Sequence, residues 1–264
     1  MKTMQYAVTR NIFRCLVGVL FLATGAALAA PANNSMETIN LAGRQRMLTQ
    51  RIVKNYTQRG LGVLAEQAER QTQDSVSQFE TALTTLQQRA ANMPSIHPTL
   101  ATINSDWSRL KQILAQKPGK ESAQSLDQQA EKLLNASNAL TQAFQEQSGV
   151  DVGRWVNTAG RTRMLALRLA KFQLLRQYGL GTAASRDLAE QTRNELTGAL
   201  ATLSQAPVNT AAIRQELGLA STQWQFFEQA LSRADSDPTQ IATTSERIVE
   251  VMDQITQRYM ALSK

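Results

Sequence analysis

The chain of 264 residues contains one cysteine and one histidine. Those two scarcities remove most of the usual catalytic chemistry. Cys15 lies at the front of the apolar run CLVGVLFLATGA, behind Lys2, Arg10 and Arg14 and ahead of Ala27-Leu28-Ala29 and the polar stretch PANNS. A basic start, an apolar middle and a small-residue close make up a secretory signal peptide. Only about sixteen residues separate Arg14 from Pro31, fewer than the ~20 a spanning helix needs. We therefore read residues 1–29 as a cleaved leader and place the mature protein in the periplasm. Cys15 leaves with the leader and is badly placed for lipid attachment. The mature chain then has no thiol, which excludes disulfides, a cysteine-ligated metal and a cysteine nucleophile in a compartment where disulfides are allowed. His97, held between Pro94 and Pro98 in a turn, has no partner for metal binding or catalysis and reads as a surface loop residue. There is no nucleophile elbow, phosphate loop, zinc spacing or Ser/His/Asp set. The chain is read as a non-enzyme with no cofactor and no metal.

Charge of one sign is also scarce. The formal charge is +7 over the whole sequence, and without the three basic residues of the leader it falls to +4, with 25 basic residues against 21 acidic ones. A nucleic-acid binder shows a basic stripe interleaved with aromatics, whereas basic residues here are scattered among glutamines and acids outside two short motifs. Nucleic acid is therefore excluded as a partner.

Proline is confined to positions 31, 94, 98, 118, 207 and 238. Proline removes a helical donor and clashes with the preceding turn, so the long proline-free stretches with apolar spacings of three and four read as helices. No segment alternates with a period of two. The expected helices cover about 35–59, 62–91, 97–117, 120–148, 151–178, 182–205, 208–234 and 238–262, with breaks at Gly60-Leu61-Gly62 and Gly179-Leu180-Gly181. The short stretch Ser148-Gly149-Val150 leaves little slack, so the fourth helix is expected to run almost directly into the fifth.

What the sequence has in place of catalytic residues is a motif written twice, INLAGRQRMLTQR at 39–51 and VNTAGRTRMLALR at 156–168. At a constant offset of 117, Asn40 matches Asn157, Gly43 matches Gly160, Arg44 matches Arg161, Arg46 matches Arg163, Met47 matches Met164 and Arg51 matches Arg168. Trp107 falls opposite Trp224, Leu114 opposite Leu231 and residues 79–86 opposite 196–203; residues 130–144 align with 245–259 after a slip of two. Such self-similarity points to an internal duplication. The expected fold class is all-α, with two tandem antiparallel four-helix bundles related by a pseudo-twofold, one over residues 30–149 and the other over 150–264. The matching tryptophans read as core anchors. Acidic residues such as Glu246 and Glu250 have the spacing of ordinary solvated helix charges.

On a helix, Gly43, Arg46, Met47 and Gln50 fall within about 100° of one another. Gly160, Arg163, Met164 and Leu167 repeat the arrangement. Glycine inside a helix costs roughly 0.5–1 kcal/mol relative to alanine, a cost offset where another helix or a ligand approaches the backbone. If the two copies meet about a pseudo-twofold, their faces are self-complementary and Arg46 faces Arg163. Two buried guanidinium groups left unpaired are costly, and a planar oxyanion between them matches their fork of donors. The alternative is a solvated basic face paired with glutamates. Ligand contacts are thus expected from Arg46, Arg163, Gly43, Gly160, Met47 and Met164, and supporting or structural roles from Asn40, Asn157, Arg44, Arg161, Arg51 and Arg168.

AGRQRMLTQR and AGRTRMLALR resemble the signature of the PilJ-type domain at the N-terminus of type IV pilus methyl-accepting chemotaxis transducers, and are similar to the P-box helix of the NarX/NarQ nitrate-sensor kinases. The resemblance implies a periplasmic four-helix bundle that dimerises, with one arginine from each subunit holding nitrate at the interface. The arginine immediately before methionine is the matching position, Arg46 in one copy and Arg163 in the other. Unlike those receptors, this sequence shows no second membrane segment and no kinase or methyl-accepting part, and it carries both motifs on one chain. The leading expectation is an exported sensor or carrier, monomer or homodimer, for nitrate, nitrite or a similar small oxyanion that signals through a membrane-bound partner. The second is a ligand-free helical protein, accessory to a pilus or chemotaxis assembly, whose basic helices dock on an acidic partner.

Overall fold

The computed structural model describes residues 32–149, 151–233 and 236–262. The leader, Cys15, the cleavage point after Ala29 and Val150 at the expected domain boundary lie outside the described residues. Among those described the chain is all helical, with eight α-helices and no strand: α1 (Ala32–Leu61), α2 (Ala65–Arg89), α3 (His97–Leu114), α4 (Lys120–Ser148), α5 (Gly153–Leu175), α6 (Ala183–Ser204), α7 (Ala211–Ser232) and α8 (Pro238–Ala261). None of them is long and apolar enough to cross a membrane.

The helix starts differ from the periodicity where caps decide them. α2 begins three residues later than expected because Gly62 (φ 71°) and Leu64 (φ 47°) both take left-handed backbone, which interrupts the helix. α7 begins at Ala211 because the Thr210 hydroxyl accepts from the Ile213 amide, a side-chain cap that satisfies an otherwise orphaned donor. α8 opens at Pro238, as its spacing predicts: the Asp237 side chain accepts from the Thr239 amide, and Pro238 sits in the first turn where its missing donor costs nothing. α4 does not run into α5. It stops at Gly149, whose φ of 59° is the left-handed close that glycine permits, and α5 starts afresh at Gly153.

α1 packs against α2, α4 and α5, while α5 packs against α1, α6 and α8; α3 lies on α4 and α7 on α8. The two motif helices are therefore central. They run side by side in the same direction: near their starts a side chain at Gly153 would meet Ile39 and Met36, and near their ends the Tyr178 hydroxyl occupies the place of a side chain at Gly60, 2.6 Å from where its Cβ would lie. One continuous apolar cluster includes Met36, Ile39, Leu48 and Ile52 of α1, Leu165 and Leu169 of α5, Trp107 and Trp224. Both tryptophans are buried; Trp107 stacks on Phe79 at 3.9 Å between centroids, and Trp224 meets Phe227 edge-on. His97 is an exposed first residue of α3.

Being central, α1 and α5 have little solvent face. α1 nevertheless buries Gln45, Gln50, Lys54, Asn55 and Thr57. At the matching offset α5 carries Thr162, Leu167, Lys171, Phe172 and Leu174, so the two helices are packed alike but differ sharply in polarity.

Candidate functional site

The seam between α1 and α5 brings Gly43, Arg46, Gly160 and Arg163 together. Arg46 reaches across to α5, where Nη2 donates to the Asn157 side-chain oxygen at 2.8 Å. Arg163 reaches back to α1, donating to the Asn40 side-chain oxygen at 2.8 Å. The exchange is reciprocal, and the motif asparagines acquire a defined role, since each fixes the arginine of the opposite helix.

The glycines make room for guanidinium groups. A Cβ on Gly43 would lie 3.0 Å from Arg46 Nη2; one on Gly160 would lie 3.1 Å from Arg163 Nη2 and 3.7 Å from Arg46 Nη2. Each glycine makes room for the guanidinium of its own helix, folded back one turn. Gly160 also accommodates Arg46 from the neighbouring helix. Met47 and Met164 are buried in the core beside this cluster.

The two arginines are not equivalent in charge. Arg163 is fully buried and its Nη1 is bound by the Asp253 carboxylate of α8. Arg46 is 2% exposed, and all its acceptors are neutral: the Asn138 side-chain oxygen at 3.2 Å, the Asn157 side chain and backbone, and its own Gly43 carbonyl. No ion pair to Arg46 exists among the described residues. Asn138 and Asp253 are matching positions in the segment that aligns with a slip of two. A carboxylate on one side is thus replaced by an amide on the other. Burial, together with the positive charges of Arg161 and Arg163, pulls the Arg46 guanidinium down from 12.5 to about 9. Burial lowers Arg163 too, while Asp253 works in the opposite direction.

The outer motif arginines find acids. Arg44 lies 3.8 Å from Asp253. Arg161, whose counterpart of Asp253 is the neutral Asn138, turns instead to Glu195 of α6 at 2.6 Å. One turn and more beyond Arg46, Arg51 and Lys54 share Glu246 of α8 at 2.6 and 2.5 Å; at the matching places Arg168 and Lys171 share Glu131 of α4 at 2.5 and 2.6 Å, and Lys171 also reaches Asp127. Each cluster crosses from one half of the molecule to the other.

Glu246 is consequently not the solvated helix charge its spacing indicated. Burial opposes its ionised form, but Lys54 and Arg51 outweigh that and bring it to about 2. Lys54 and Lys171, which composition alone leaves among the scattered basic residues, are buried to within 1% of full. The sequence does carry a signal for them: both recur at the offset of 117, two turns beyond the motif arginines on a similar bearing.

Gln50 follows Arg46 by one turn on the same face. It is fully buried, yet neither atom of its amide has a hydrogen-bond partner among the described residues. Buried polar groups are nearly always paired, so such an orphan calls for an explanation. Leu167 stands at the matching place in α5. The α1 side of the seam therefore combines an uncompensated cation with unused hydrogen-bonding capacity.

Residues 27–140 match the family model PilJ, the type IV pili methyl-accepting chemotaxis transducer N-term. The match runs from residue 27 through most of α4 and contains the first motif, Gln50 and Asn138. It supports a sensory role related to chemotaxis transducers. No curated protein matches the chain, and no solved structure does.

Proposed function

We propose that the chain is an exported sensory protein for nitrate, nitrite or a similar small oxyanion, built from two duplicated four-helix units and reporting occupancy to a membrane-bound transducer. The observation that carries this reading is the burial of Arg46 without a carboxylate. A fully desolvated charge demands compensation, and an anion at Arg46 need displace only the neutral Asn138 or Asn157 acceptor, with an opposite charge gained in return. At Arg163 the same anion has to compete with Asp253. The site is therefore centred on the α1 side, with Arg46 as the fork and Arg163 as a second positive charge beside it.

Calorimetric titration of the mature protein with nitrate, nitrite, sulfate, phosphate and chloride tests the proposal. One anion per chain is expected, with chloride weakest because it lacks the coplanar oxygens a guanidinium fork matches. Arg46→Ala and Arg46→Lys should both lose binding while helicity is kept. Nitrate should also stabilise the fold by ~2.7 kcal/mol at a hundred times the dissociation constant. No heat from any oxyanion, or equal melting shifts in nitrate and chloride, would transfer the reading to a ligand-free protein that docks on an acidic partner.

A further inference from the structure

A second difference between the halves lies well away from the central seam. A groove of about 550 Å³ opens between α5, α6 and the end of α7, floored by Leu169, Phe172 and Leu231 and rimmed by Arg176, Arg186, Arg193 and Arg233 with Glu190. A groove of about 410 Å³ occupies the matching place among α1, α2 and the end of α3, where Arg59, Glu69, Val76 and Leu114 stand for Arg176, Arg186, Arg193 and Leu231 at the offset of 117.

The chemistry of the two grooves is opposite. In the α1–α3 groove the charges are met within the protein, Arg59 by Glu69 at 2.8 Å and Glu80 by Lys111 at 2.6 Å. In the α5–α7 groove, Arg186 replaces Glu69, so Arg176 loses its ion-pair partner and gains a like charge. Among the described residues Arg176, Arg186 and Arg233 make no ion pair, and Arg193 approaches Glu228 only at 3.9 Å. Phe172, nearly buried, supplies an aromatic floor where the first half has Asn55. Four arginines and one glutamate over an apolar floor give the groove a net positive charge, which suits an anionic ligand. Ser185 brings the positive N-terminal end of α6 to the same rim, which favours an anion further.

We propose that the α5–α7 groove binds a small organic carboxylate with an apolar, preferably aromatic, body. The arginine fork takes the carboxylate, while Phe172, Leu169 and Leu231 cover the body. The volume is in the range of small-molecule pockets, which pair apolar walls with a few placed polar groups. The site stands apart from Arg46 and does not depend on the oxyanion reading.

Titration of the full mature chain with benzoate, acetate, benzyl alcohol and inorganic phosphate tests it. Benzoate is expected to bind once per chain; acetate, which lacks the body, and benzyl alcohol, which lacks the charge, should each be at least tenfold weaker, and so should phosphate. Arg186→Glu should restore the ion pair seen in the α1–α3 groove and weaken benzoate at least tenfold with the far-ultraviolet circular dichroism unchanged, since Arg186 is exposed. Conversely, Glu69→Arg with Val76→Arg should raise the benzoate stoichiometry towards two. Arg46→Ala should leave benzoate affinity unaltered. Absence of benzoate binding, phosphate as strong as benzoate, full affinity in Arg186→Glu, or loss in Arg46→Ala would each overturn the proposal.

Discussion

Arg46 and Arg163 occupy matching places on neighbouring helices, yet one lies buried among amides and the other against a carboxylate. The difference comes down to one functional group, the side-chain terminus at 138 or at 253. It teaches that two helices with like neighbours can differ in whether a buried charge meets an opposite one. On the Asp253 side the charge is settled within the protein. On the Asn138 side it is held in place by neutral hydrogen bonds alone.

The most damaging way to break that contrast is Asp253→Asn, which gives Arg163 the environment of Arg46. Stranding a buried charge costs about 3–5 kcal/mol, and the lower end applies because the Asp253 side chain keeps 32% of its exposure. Urea unfolding in chloride buffer should register a loss of ~3 kcal/mol that shrinks in nitrate; a loss under ~1 kcal/mol would mean that solvent already screens the pair.

The crossed clusters should reveal themselves in acid. Glu246 has its folded value depressed to about 2 from 4.5, so its contribution is complete above the unfolded value and is lost as pH falls from about 4.5 towards 2. At 1.36 kcal/mol per unit this amounts to roughly 3–4 kcal/mol. Glu246→Gln should flatten the decline in stability over that window, and an unchanged slope would show that other carboxylates dominate it.

The reverse exchange, Asn138→Asp, should make the first side resemble the second. A charged acceptor in place of a neutral one adds about 1–2 kcal/mol, and the nitrate-induced rise in melting temperature should disappear. A variant that is stabilised but still responds to nitrate would place the anion elsewhere. The smallest effect is expected from Gly43→Ala. Helix propensity gains roughly 0.5–1 kcal/mol, while the new methyl presses on Arg46 Nη2, so net stability should move little and nitrate affinity should fall about tenfold.

Much of this fold was legible because proline and glycine punctuate it and because long three-and-four spacing has few alternatives. Helix starts at Ala65 and Ala211 were not, since they depend on a left-handed turn and a threonine cap rather than on periodicity. The motif arginines could be placed on one face from their spacing alone. Their partners could not: Asp253, Glu246 and Glu131 lie 37–195 residues away from the cations they neutralise, and an acid's spacing along its own helix does not disclose what packs against it. The exchange of Asn138 for Asp253 was visible in the alignment of the halves, but only the packing of α4 on α1 and α8 on α5 gives it meaning.

The crossed clusters have one further consequence. Lys54 depends on Glu246 and Lys171 on Glu131, so neither half can neutralise its own buried lysine. Severed from its neighbour, residues 30–149 would still hold both kinds of group, and two copies set as α1 and α5 are set would satisfy each other, Lys54 against Glu131 in both directions. The covalent chain makes that meeting obligatory and keeps the ratio at one to one. It also permits what a pair of identical subunits never can: a substitution that occurs once in the assembly. Asn138 opposite Asp253, and Glu69 opposite Arg186, are differences of that kind, each specialising one side without imposing the same change on the other.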